Sequence, residues 1–182
     1  SAAKANALKA NASPVEKALI EAIAIRYVAD STADQGKLNA LYRDAMKAVY
    51  TAYPNDENVS TLYADALMLM HPWDLYDHDF NAKPWTPEIV AVLKHTLQLN
   101  PKQPGANHYY IHAVEASAKP DNALNSAEFL ASAMPDVSHL THMPSHIYIR
   151  TGIYDKGITV NDQGLAGYKK YYHYFPATEE NI

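Results

Sequence analysis

Apolar residues recur along this chain at helical spacing, in blocks separated by Pro, Gly, Asn and Asp. Residues 1–12 (SAAKANALKANA) carry little periodicity and read as an N-terminal tail. Ser13-Pro14-Val15-Glu16 then forms a capping-box signature with Pro at the first helical position, which predicts a helix start. Leu19, Ile20, Ile23 and Tyr27 give that helix its apolar stripe, and a turn over Asp30 to Gly36 leads to a second stripe of Leu38, Leu41, Tyr42, Ala45, Met46 and Val49 that ends at Pro54. A third helix is predicted after Asp56, through Leu62, Tyr63, Ala66, Leu67 and Leu69 to Met70, where His71-Pro72 stops it.

The segment His71 to Trp85 breaks the rhythm with Pro72, Pro84, both tryptophans and three Asp, and reads as an insertion between two helices. Thr86-Pro87-Glu88 caps the next helix, which ends at Asn100-Pro101. Pro104 opens a further one, a turn follows over Ala118 to Asp121, and Leu124, Ala127, Leu130 and Met134 line its partner. A segment around residues 138–150 closes at Gly152, and a last helix runs from about Tyr154 to the aromatic run Tyr171 to Phe175. The pattern predicts an all-α chain of about four antiparallel helical hairpins (13–54, 56–101 with the insertion 71–85, 104–135 and 138–175), forming one elongated domain over 13–175. Residues 176–182 are expected to be a tail or the start of a further segment, because the aromatic end of the last helix suits cover by another repeat.

Two of these helices carry the candidate chemistry. His108 and His112 stand four apart, as do His142 and His146, and each member of the second pair follows its counterpart by 34 residues. Residues four apart on a helix share a face, so each pair presents two imidazoles in one direction. Glu115 extends the first stripe and His139 precedes the second. Pro144 removes a backbone hydrogen bond within the second segment, so its helix is expected to start at His139 or afresh near Pro144.

The 34-residue period, the matching Pro101 and Pro135, and the small residues Ala123 and Gly157 at equivalent places resemble the tetratricopeptide-repeat family. The likeness is strongest over 101–170; the family's Trp, Leu-Gly and Tyr positions are mostly missing, and the 71–85 insertion is foreign to it. PWDLY, PGANHYYIHAVEAS and HMPSHIYIRTGIY together resemble a group of uncharacterised bacterial repeat proteins. The resemblance implies a superhelix whose first helices line a concave binding surface, and it places both histidine stripes there.

With axes of adjacent helices about 8–10 Å apart, the two pairs are close enough to converge. That predicts a divalent metal, Zn²⁺ first among the choices, held by three or four of His108, His112, His142 and His146, with Glu115 as a further ligand or as support to one. His139 reads as a surface residue or one that supports a ligand. The alternative is that repeat copying preserved histidines that merely hydrogen-bond across helices. Asp65 is expected on the corresponding stripe of the preceding repeat, Trp73 and Trp85 flank the insertion and either pack it onto the repeats or serve as groove or lid residues, and Arg150 either meets an anionic ligand or caps its helix by charge.

Composition narrows the field. The chain has 182 residues, 15 basic against 20 acidic, a net charge of −5 and a pI of about 5.9, with no basic run, which argues against nucleic acid and anionic membrane surfaces. It has no Cys, so any ion falls to His, Asp and Glu, and no stretch approaches the roughly 18 apolar residues of a membrane span. The first residue is Ser, which fits a processed or excised piece, and the compartment is left open, export included. There is no HExxH, GxSxG or glycine-rich phosphate loop, so no reaction signature supports an enzyme. The expectation is a binding module with a His-rich concave site for a peptide, protein or small ligand; the alternatives are a metal-dependent hydrolase with Glu115 or Asp65 as base, and a scaffold with structural histidines.

Overall fold

The computed structural model describes residues 2–30 and 32–175, so the expected tail or further segment over 176–182 lies outside the described residues. Among the described residues the chain is all-α: there are ten α-helices, 3₁₀ turns over Lys9–Asn11 and Pro120–Ala123, and a single isolated bridge between Tyr76 and Ala82. The helices are α1 (Ala2–Leu8), α2 (Pro14–Arg26), α3 (Gln35–Ala52), α4 (Glu57–Met68), α5 (Thr86–Leu99), α6 (Pro104–Val114), α7 (Leu124–Ala133), α8 (Ser138–His142), α9 (Pro144–Thr151) and α10 (Tyr154–Tyr174). They form two compact units, the first from the chain up to Leu75 together with Lys83–Asn100, the second from Tyr76–Ala82 together with the chain from Pro101 onward.

In the first unit α1 packs on α2, α2 on α3, α3 on α4 and α4 on α5. The segment read as a tail is helical over α1 because Ala and Lys are good helix formers even without an apolar stripe, and α2 gives it a surface to lie on. Side chains fix the starts. The Glu16 carboxylate accepts from the Ser13 backbone N–H at 2.8 Å, completing the capping box, and the Asp56 carboxylate accepts from the N–H groups of Asn58 and Val59 at 2.9 and 3.0 Å. The core gathers Tyr42, Met46, Val59, Tyr63, Ile89 and Leu93, the apolar stripes of α3, α4 and α5. Burial of side chains such as these, worth about 1.5–3 kcal/mol each, is what holds such short helices in place.

The second unit is built from α6 to α10, with α6 against α7, α7 against α9, and α8 and α9 both against α10. Gln103 caps α6 by accepting from the Ala106 N–H, and Gly152, in the left-handed region at φ 77°, ends α9. Ile111, Val114, Leu130, Met143, Ile147 and Tyr148 form its core. Part of the insertion belongs to this unit: the Tyr76 hydroxyl donates to the Ala113 carbonyl at 2.8 Å, satisfying one of the carbonyls that the end of α6 leaves without a helical partner. Pro144 divides the second histidine segment, but Met143 keeps helical geometry at φ −51°, ψ −37°, so α8 and α9 run on from one another and His142 and His146 stay one turn apart.

Candidate functional site

The histidines of the second unit assemble around one buried carboxylate. On α6, His108 and His112 occupy successive turns and Glu115 caps the helix one turn later, while Tyr110, Ile111 and Val114 face the core. The His stripe is thus held on the rim of the core rather than inside it. Glu115 is only 9% exposed, and its two oxygens are divided between two helices: Oε1 accepts from His112 Nδ1–H at 2.8 Å and Oε2 from His146 Nδ1–H at 2.7 Å. Burial by itself raises the Glu115 pKa, but the two imidazole hydrogen bonds and the attraction of His146 and His112 outweigh it and hold the carboxyl at about 2, so it is ionised at neutral pH.

That carboxylate determines where the imidazoles point. With Nδ1–H committed to an oxygen, His112 and His146 each turn Nε2 away from Glu115. His142 is fixed in the same sense from α10, its Nδ1 lying 2.6 Å from Asn161 Oδ1, an atom that can only accept. The Ser145 hydroxyl lies near the same nitrogen at 3.4 Å, too long to compete. The result is two close Nε2 pairs, His108 with His139 at 3.2 Å and His142 with His146 at 3.0 Å. Ring centroids stand 4.9 Å apart for His108 and His112, 5.0 Å for His108 and His139, and 5.3 Å for His112 and His146.

Among the described residues two triples have ligand atoms within 4.8 Å of one another, His108 with His112 and His139, and His112 with Glu115 and His146. Neither unites the four duplicated histidines. His139, exposed and outside the 34-residue register, joins the first helix's pair, while His142 sits with His146. Burial, with smaller repulsion from His112, His139 and His146, lowers the His108 pKa to about 3, and burial likewise lowers that of His139, so both are neutral donors at physiological pH. Neutral imidazoles are a donor type that transition metals take.

The other expected site residues fall elsewhere. Asp65 lies on α4 in the first unit, where its charge acts on buried Tyr42. Trp85 stacks on His71 with centroids 3.9 Å apart and donates to the Asp74 carbonyl at 2.7 Å, packing the first unit's part of the insertion, while Trp73 is 86% exposed at φ 59°. Arg150 is exposed in the last turn of α9. One contributor, Asn161, was absent from the sequence reading: it carries no motif, and nothing but the packing of α10 on α8 reveals it. Tyr76, one of the insertion's aromatic residues, bonds the Ala113 carbonyl.

An open cavity of about 460 Å³ adjoins the His142–His146 pair, bounded also by Ser145, Ile149, Tyr154 and Ile158. Its mouth is apolar, with Ile149, Tyr154 and Ile158 each more than 60% exposed at 63%, 62% and 63%.

No family model matches the chain, and no curated protein matches it. Among solved structures it is similar to one titled MamA MSR-1 C2, a tetratricopeptide-repeat protein, with a TM-score of 0.58 and 14% sequence identity, covering 89% of this chain and 81% of that one. At that identity the likeness concerns the fold alone, and the fold is tetratricopeptide-like. No helix among the described residues is long and apolar enough to cross a membrane.

Proposed function

We propose that this chain is a tetratricopeptide-like binding module whose second unit holds a transition-metal ion, Zn²⁺ first among the candidates, through Nε2 of His108, His112 and His139. The observation that carries the reading is that ligand atoms of His108, His112 and His139 all lie within 4.8 Å of one another, with His112 held through Nδ1 by Glu115. The spacing supports it. Ligand nitrogens about 2.0–2.1 Å from a tetrahedral ion lie about 3.3 Å from one another, and the His108–His139 separation is 3.2 Å. The second triple, with Glu115, supports an ion less well, since its oxygens already accept two N–H bonds that an ion would have to displace.

A three-histidine ion would keep further positions open and would acidify a water bound there, which is the chemistry behind the hydrolytic reading. Glu115 is not its base here, because both oxygens are engaged. Partner binding by the repeats is supported by the fold, and the likeness of PWDLY and HMPSHIYIR to bacterial repeat proteins adds no activity to it.

Elemental analysis of untagged protein, purified without chelator, tests the reading. Zinc near stoichiometry in the parent and lost in His112→Ala supports it; absence of metal after incubation with Zn²⁺, in protein shown to be folded, overturns it and leaves a repeat scaffold with structural histidines.

A further inference from the structure

α10 uses only part of its surface within the second unit. Gly157, Val160 and Gly164 are buried where it packs on α8 and α9, Gly157 beside Tyr148 and Gly164 beside Ser138 and His142. A second stripe runs alongside at alternating intervals of four and three: Tyr154, Ile158, Asn161, Leu165, Tyr168, Tyr172 and Phe175. That is the spacing by which one helix meets another along its length. Six of its seven residues are apolar or aromatic, enough for a continuous seam. The stripe lies to one side of the packing and is open: Tyr154, Ile158, Leu165 and Phe175 are all more than half exposed, and Tyr168 and Tyr172 stack on one another along it with centroids 6.2 Å apart. Ile149 of α9, on the rim of the same cavity as Tyr154 and Ile158, widens the patch. The one polar position, Asn161, is held by His142 of its own chain.

Charge identifies the cover. The flank of the stripe away from α8 carries Asp155, Asp162 and Lys169, seven apart, while the other flank is Gly157, Gly164 and Tyr171, without charge. The ion pairs of α10, Lys156 with Glu128 and Lys170 with Asp136, leave all three charges out. A parallel copy of the helix would lay the charged flank against the uncharged one. Turned antiparallel, charged flank meets charged flank, and a twofold axis near Leu165 sets Asp162 of each copy against Lys169 of the other. The same reversal lays Ile158 against the Tyr172 to Phe175 end of the opposite helix.

We propose that a second copy of this chain covers this face: α10 pairs antiparallel with its counterpart along the stripe from Tyr154 to Phe175, and the two Asp162–Lys169 contacts fix direction and register.

Sedimentation equilibrium on the full chain tests this, with the helix content of each variant checked by circular dichroism. The parent sediments at twice its chain mass of 20.2 kDa. Lys169→Asp and Asp162→Lys each set like charges opposite one another and weaken the dimer about tenfold. Mixed together, the two variants pair with each other at parental strength, because opposite charges then meet at both contacts. Leu165→Asn, at an exposed position, separates the copies and keeps the fold. A monomer at every concentration overturns the proposal and leaves the stripe to a different protein. A dimer that survives Leu165→Asn and Lys169→Asp alike overturns the assignment to α10, and mixed variants that pair no better than either alone overturn the antiparallel register.

Discussion

Glu115 Oε2 lies 2.7 Å from His146 Nδ1, joining the end of α6 to α9 across 31 positions of sequence, while its other oxygen holds His112 on its own helix. A single carboxylate therefore orients two imidazoles from two helices. Glu115→Gln tests this with almost no change of shape. An amide offers an acceptor on one side only, so one imidazole must give up its tautomer or its partner. Zinc affinity is expected to fall about 10–100-fold, read by competition with a chelating dye, and the metal-free fold to lose about 1–3 kcal/mol, read by urea denaturation. Unchanged affinity would count against the orienting role of Glu115.

The stripe of His108, His112 and Glu115 was legible because it follows from helical period alone, and the four-apart pairs did present two imidazoles on one side. The grouping of those pairs was not legible. His139 meets His108 across 31 residues, outside the 34-residue register, because that contact depends on how α8 enters before Pro144, a matter of tertiary packing. Asn161 is likewise invisible until α10 is placed on α8. The helix boundaries, by contrast, follow from local chemistry: Ser13, Asp56 and Gly152 each satisfy a helix end through their own side chain or backbone freedom. The N-terminal stretch shows the limit of periodicity, since α1 forms on Ala propensity and contact with α2 without a stripe of its own.

Gly164 allows α10 its close approach to α8. A Cβ there would lie 3.2 Å from the Ser138 carbonyl oxygen and 3.4 Å from His142 Cβ, and the nearer atom is backbone, which cannot swing aside. Gly164→Ala is expected to cost about 1–3 kcal/mol in spite of alanine's better helix propensity, and to lengthen the His142–Asn161 bond. A thermal melt measures the first effect and the imidazole signals of His142 in NMR report the second. A gain in melting temperature would show that α10 is free to shift.

Tyr76 ties the insertion to the histidine-bearing helix through its bond to the Ala113 carbonyl. Tyr76→Phe keeps the ring and removes that bond, so the unit should lose about 0.5–1.5 kcal/mol, and amide exchange should rise over 76–82. Unaltered exchange in that segment would place its anchoring in the ring rather than the hydroxyl.

Acid should unfold the metal-free protein from the histidine site. Burial holds His108 at about 3 in the folded chain against an ordinary 6.5, so between those values the unfolded chain binds more protons and stability rises with pH. Glu115 acts in the same sense lower down: burial opposes its ionisation, its imidazole partners outweigh that, and with a folded value of about 2 against 4.5 its contribution is complete above 4.5 and disappears toward 2. The two windows follow one another on acidification. Stability in chelator should hold from pH 8 to 7, then fall by about 1–2 kcal/mol between 6.5 and 5 on account of His108 alone, at about 1.4 kcal/mol per unit of difference. Urea midpoints across that range measure the fall, and His108→Gln, which has no imidazole to keep neutral, should flatten it. A midpoint that rises on acidification through 6.5 would mean that His108 is protonated in the fold, and a protonated His108 has no lone pair with which to bind an ion.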